Sequence, residues 1–258
     1  MNLNIARKLF IVGGATSGFG LAVTKALIAE GAKVIAVARG EFRLKALVEE
    51  YPQQIEPFVG DLTELPIIHK LAEQVGSRPL DGMLVNAGGP PAMSFLETLL
   101  DDWDNAYEKV LRWKVQITKT FLPKFLDQEY GRILYIESVS VKQPIENLVL
   151  SNSLRLAVVG FVKTLSQEIA DSGITLNILA PGYHATPAMD RLFAKKSASQ
   201  GISEAEAKTE FENLIGVGFM GKPEDFASLA VWLLSPVSRY LTGQTISVDG
   251  GVVLGTMG

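Results

Sequence analysis

The chain has 258 residues, 47% of them hydrophobic, with 24 Lys and Arg against 28 Asp and Glu, a formal net charge of −4 and a pI near 5.4. That length and apolar share permit a large core, and the acidic balance argues against a general nucleic-acid binder. Zero cysteines exclude a disulfide framework, and two isolated histidines, His69 and His184, give no expectation of a metal site.

The opening "MNLNIARKLFIVGG" runs directly into an apolar strand, which reads against a signal peptide, and no apolar run approaches a bilayer span. A cytoplasmic chain with no membrane partner is expected. Short β-branched runs then alternate with helical spacing: "KLFIVGG" (8–14), "AKVIAVA" (32–38), "IEPFVG" (55–60), "DGMLVNAG" (81–88), "GRILYIES" (131–138), "GITLNILAPG" (173–182) and "GQTISVDGG" (243–251). Continuous apolar strands separated by helices predict a parallel sheet covered on both faces, an α/β doubly wound Rossmann-type fold of about seven strands. Nothing resembling a linker or repeat divides the chain, so a single domain over 1–258 is expected.

After the first strand, "GGATSGFG" (13–20) places Gly14, Gly18 and Gly20 in G-x-x-x-G-x-G, with a helix expected from Leu21. Glycines there let the backbone turn and approach a pyrophosphate at a helix N-terminus, although strand-to-helix turns also use glycine for geometry alone. The second strand ends in "VIAVARG", with Arg39 where a ribose-binding carboxylate would favour NAD. A guanidinium there can grip a 2′-phosphate, so NADP(H) is favoured over NAD(H); Glu41 two residues on would oppose a phosphate, and a solvated arginine is the plain alternative. Asp61 and Asn86 follow the third and fourth strands. Asp61 is also readable as a helix N-cap ahead of "LTELPIIHKL" and Asn86 as a turn asparagine, and either can hold alongside a cofactor contact.

The motifs "GGATSGFG", "GDL" (60–62), "NAG" (86–88), "PG" (181–182) followed by Thr186, and "LTGQTISVDGG" (241–251) resemble, in this order, the short-chain dehydrogenase/reductase family, and within it the 3-oxoacyl-carrier-protein reductases. Gly13 stands where that family usually has threonine. The resemblance implies cofactor contacts at Gly14, Ser17, Gly18, Phe19, Gly20, Arg39, Asp61, Leu62, Asn86, Ala87, Gly88, Pro181, Gly182 and Thr186. It also implies a carbonyl or alcohol substrate, and a dimer or tetramer built on the helices near 103–127 and 151–171.

The family's proton donor is the tyrosine of a Tyr-x-x-x-Lys pair, assisted by a serine and an asparagine. Aligned on "AVVGFVKTLSQEIADSGITLNILAPG" (157–182), Ser151 falls at the tyrosine position, Arg155 at the lysine position and Ser138 at the serine position, while Val110 falls at the asparagine position. A serine hydroxyl is a far weaker acid than a phenol, and arginine does not relay protons. Substitute acids are therefore sought around "APG". Tyr183 is the first candidate, its pKa lowered if Arg155 lies close, followed by His184, Lys142 and Glu137, each of which is otherwise a packing or solvated residue. The segment at about 187–219 reads as two helices joined around Gly201 that cover the substrate, with Met189, Leu192 and Phe193 facing it or simply packing a core. Two functions follow: an atypical NAD(P)(H)-dependent oxidoreductase, or an inactive nucleotide-binding protein with a sensing, regulatory or structural role.

Overall fold

The structure, a computed structural model, describes residues 1–256. Seven strands, β1 (Leu9–Gly13), β2 (Lys33–Ala38), β3 (Ile55–Val59), β4 (Gly82–Val85), β5 (Gly131–Ile136), β6 (Ile174–Pro181) and β7 (Thr245–Val248), form one parallel sheet in the order β3-β2-β1-β4-β5-β6-β7. The order reverses direction between β1 and β4, and ligands of such sheets bind in the crevice beyond the carboxyl ends of the strands at that point.

Alternation along each strand sends successive side chains to opposite faces. Phe10 and Val12 of β1 join Val34 and Ala36 of β2 in one core, against α1 (Gly18–Ala29), α2 (Glu41–Glu50) and α9 (Pro223–Leu233). Leu9, Ile11, Ile35 and Val37 face the other way, onto α3 (Leu65–Val75), α5 (Trp113–Asp127) and α6 (Val149–Glu168). Both faces are covered, which is why the strands read as unbroken apolar runs; each fully buried Val, Leu or Ile contributes about 1.5–3 kcal/mol.

Two boundaries differ from expectation in ways that matter to the crevice. The first helix starts at Gly18 rather than Leu21, because Gly20 packs on the Gly14 carbonyl so closely that a Cβ would stand 2.2 Å from its oxygen. The helix expected near 103–127 starts at Leu100 and is interrupted: α4 (Leu100–Tyr107) passes through a π-helical turn (Glu108–Arg112) into α5. A smaller apolar cluster joins α7 (Pro187–Gln200) and α8 (Glu204–Glu212), which meet across Gly201. Among the described residues no helix is long and apolar enough to cross a membrane.

Candidate active site

The glycine loop closes between β1 and α1. Gly14 and Gly18 have φ of 65° and 50°, the left-handed region in which a side chain is strained. Ser17 is the N-cap of α1 but makes no side-chain capping bond, so the first amides of the helix are not satisfied by it. These features fit a pyrophosphate: Gly14 and Gly18 put no side chains of their own over the loop backbone, and the helix terminus presents donors. Asn86, one residue beyond β4, donates from Nδ2 to the Gly13 carbonyl at 3.1 Å and so clasps the two strands at the switch point. The Thr186 methyl lies against Gly18, 3.7 Å from where a Cβ would stand, which brings the segment after β6 to the same loop.

At the ends of β2 and β3 the Arg39 guanidinium reaches to within 3.7 Å of the Asp61 carboxylate, with 81% of the arginine side chain exposed. Asp61 also accepts from the Thr63 amide (3.0 Å) and hydroxyl (2.8 Å), which makes it a local turn cap rather than the N-cap of α3. Leu62 is buried against Gly13, and Ala87 and Gly88 continue the chain past Asn86. Pro181 ends β6 beside Val248, and Gly182 donates its amide to the Val248 carbonyl.

Three of the expected residues turn their rings into packed surroundings. Phe19 turns its ring into the core, with centroids 4.4 Å from Phe226 and 5.0 Å from His184. His184 is buried under the glycine loop, its Nδ1 paired with the Gly182 carbonyl at 3.2 Å; burial lowers its pKa, so it packs as a neutral ring. Tyr183 packs edge-on to Phe211 of α8 with centroids 5.1 Å apart, and burial raises its pKa. The charge that opposes this is Lys196 of α7, so the expected lowering by Arg155 is not what the tyrosine experiences. Met189 and Phe193 are buried in the same α7–α8 cluster, whereas Leu192 is 37% exposed.

The densest chemistry lies at the carboxyl end of β5. Ile133 and Tyr135 face α5 and α6, and Glu137, two residues on, continues that alternation with a fully buried side chain. Its Oε1 is paired with Lys114 Nζ of α5 and its Oε2 accepts from Arg155 Nη1 of α6 at 3.0 Å. Arg155 Nε in turn donates to Ser151 Oγ at 2.9 Å, one helical turn back. The guanidinium also lies on the backbone after β4, so close that a Cβ at Gly89 would stand 2.7 Å from Nη2. Ser138 begins the next turn, its Oγ accepting the Ser140 amide at 3.1 Å. Val110 is buried within the π turn just before Lys114. The solvated alternative for Glu137 is therefore corrected: a carboxylate at the end of an apolar strand must find partners, and it has two cations.

Lys114 is the residue that reading along the chain missed. It sits in "RWKVQITKTF" among other basic residues, and nothing local separates it from exposed Lys119. A glutamate ending the apolar run "GRILYIE" was the usable signal, since it requires a buried cation.

Fold and site together define a Rossmann-type α/β protein with its crevice at the β1–β4 switch point and a buried ion cluster along one edge. Residues 14–253 match the family model described as Enoyl-(Acyl carrier protein) reductase. The chain is 32% identical over 247 residues to dehydrogenase/reductase SDR family member 6 of Xenopus laevis, covering 95% of this chain and 96% of the relative. It is 29% identical over 257 residues to 3-oxoacyl-acyl-carrier-protein reductase FabG of Thermotoga maritima, covering 98% and 100%. Among solved structures, an actinorhodin polyketide ketoreductase with NADPH superposes with a TM-score of 0.90 at 29% identity, over 96% of this chain and 98% of that one. An L-sorbose reductase complexed with NADPH and L-sorbose, at 24% identity and a TM-score of 0.92 over 99% and 100%, shares the fold. The chain belongs to the short-chain dehydrogenase/reductase family.

Proposed function

We propose that the chain is an NADP(H)-dependent oxidoreductase that interconverts a small-molecule carbonyl and its alcohol with a non-standard proton donor. The observation that carries this reading is the coexistence, at one crevice, of a phosphate-binding glycine loop and a buried, hydrogen-bonded ion cluster that ends on a hydroxyl. Gly14, Ser17, Gly18 and Gly20 hold the pyrophosphate, Arg39 the 2′-phosphate, Asp61 the adenine side, and Asn86, Ala87, Gly88, Pro181, Gly182 and Thr186 the nicotinamide side. The bound nicotinamide supplies or accepts a hydride. Ser138 polarises the substrate oxygen from the end of β5, and Ser151 is the hydroxyl available to protonate it. The NADPH-bound ketoreductase among the relatives supports this cofactor preference.

None of the six tyrosines is followed by a lysine four residues on, which supports the view that the family's usual acid pair is replaced here by Ser151 and Arg155 and its asparagine by Val110. The same replacement favours a second reading, an inactive nucleotide-binding protein. Thermal unfolding with each cofactor, followed by a carbonyl panel, separates the two. NADPH at a hundredfold its Kd should add about 2.7 kcal/mol, roughly 5–10 °C for a chain of this size, with a smaller shift for NADH. Arg39→Gln should bring the two shifts together. NADPH binding without turnover of any ketone, quinone or 3-oxoacyl thioester would leave the inactive reading; no shift with either nucleotide would overturn both.

A further inference from the structure

We propose that Lys114 is a positioning residue for this same reaction: its ammonium, acting through Glu137 and Arg155, keeps the crevice edge at Ser151 positively charged and its hydroxyl aimed at the substrate oxygen. The inference rests on the oxidoreductase reading above and concerns a residue to which that reading gives no role.

The geometry is a chain of contacts across three elements. Lys114 and Arg155 share the single Glu137 carboxylate, so with Lys114 protonated the cluster carries one positive charge in excess. Lys114 has 4% of its side chain exposed and Glu137 none, and charges held away from water act over longer range than solvated ones. Arg155 Nε donates to Ser151 Oγ, so the serine's own proton can only be given to a second acceptor. Arg155 also rests on the backbone at Gly89, which fixes the guanidinium between the carboxyl ends of β4 and β5, at the crevice. The π turn just before Lys114 adds a residue to the helical ring and so resets which side chains α5 turns toward Glu137; such turns occur frequently at functional sites.

In the reduction, a hydride with its electron pair joins the carbonyl carbon, the nicotinamide is oxidised, and the carbonyl π pair moves onto oxygen. That oxygen takes the Ser151 hydroxyl proton, and water restores it to the serine. Negative charge thus develops beside a fixed positive cluster, the arrangement that stabilises such a transition state. Burial pulls Lys114 down to about 8, with Glu137 opposing and Arg155 reinforcing the shift. The groups facing it are Glu137 from β5 and Arg155 from α6. Tyr135 lies beneath, reaching it through Thr118, and burial holds its phenol well above the ordinary range and therefore neutral. Trp113 offers only a ring, 5.8 Å away.

The test is the pH profile of carbonyl reduction for the wild type, Lys114→Arg and Lys114→Met, beside ¹³Cε-lysine NMR of the same proteins. The wild-type kcat should fall as pH rises through about 8. Lys114→Arg, always protonated, should keep kcat and lose the fall. Lys114→Met leaves Glu137 paired one-to-one with Arg155, so it should fold; its kcat should drop by about tenfold or more, with little change in KM and no fall. One lysine resonance should titrate near pH 8 and vanish in Lys114→Met. A fall that survives either substitution, a flat wild-type profile, or no such titration overturns this inference alone. If Lys114→Arg does not fold, Lys114→Met decides. No turnover of any carbonyl by an NADPH-binding wild type overturns the functional reading, and this inference with it.

Discussion

At the scale of single residues, Gly13 shows how a departure from a family pattern follows from packing. The 3-oxoacyl reductases that the sequence resembles usually carry threonine at this position. Here a Cβ would lie 2.4 Å from the Asn86 carbonyl oxygen and 3.1 Å from Leu62, so β1 and β4 approach where no side chain fits. The close approach also lets Asn86 reach back to the Gly13 carbonyl. Gly13→Thr, although it restores the family's residue, should force the strands apart and cost about 1–3 kcal/mol. A lowered urea midpoint with an unchanged slope would report this; an unchanged midpoint would show that the switch point relaxes freely. Arg39 is the opposite case. Its own side chain is exposed and its half-buried carboxylate partner stands at 3.7 Å, a contact worth at most about 1 kcal/mol, so little holds the guanidinium back from a phosphate.

At the scale of elements, β5, α5 and α6 are tied by charge as well as by apolar contact. The strands were legible because buried parallel strands read as continuous apolar runs, and the glycine loop because its spacing falls between a strand and a helix. The Lys114–Glu137 pair was not, since it joins residues 23 apart in different elements and depends on a π turn that leaves no periodic mark. Which alternative holds for Tyr183 was not legible for a related reason: adjacency to "APG" fixes its backbone, whereas its ring direction depends on Phe211 of α8, a partner distant in sequence. The buried pair has a thermodynamic consequence. Lys114 has an ordinary value of 10.5 but about 8 in the fold, so between those two pH values the unfolded chain holds more protons than the native one. Stability must therefore rise with pH across that window, because the fold disfavours the charged lysine. Lys114→Met should lack the rise. Denaturation at about pH 7.5 and about pH 9.5 would show the wild type gaining on the variant; a constant difference would mean that the lysine titrates alike in both states.

At the scale of the whole molecule, a groove lies away from the crevice, on the outer face of α5 and α6. It encloses about 420 Å³ and is lined by Val115, Lys119, Leu122, Gly160, Phe161 and Leu165 among others. These are the two helices on which the family resemblance places a dimer or tetramer contact, and α6 also leaves Leu156 53% exposed. Gly160 distinguishes assembly from folding. Among the described residues, nothing outside its own stretch of helix lies within 4 Å of a Cβ placed there, so a side chain at 160 starts out in open space. Replacing a glycine inside a helix should moreover stabilise that helix by up to about 1 kcal/mol. Gly160→Arg should therefore leave the monomer folded while setting a long charged side chain where a second copy would pack. Light scattering after size exclusion should find the wild type as a dimer or tetramer and Gly160→Arg as a smaller species that still binds NADPH. A variant that keeps the wild-type mass would move the contact to another face, and a wild type that is already monomeric would remove assembly as the reason for this apolar groove.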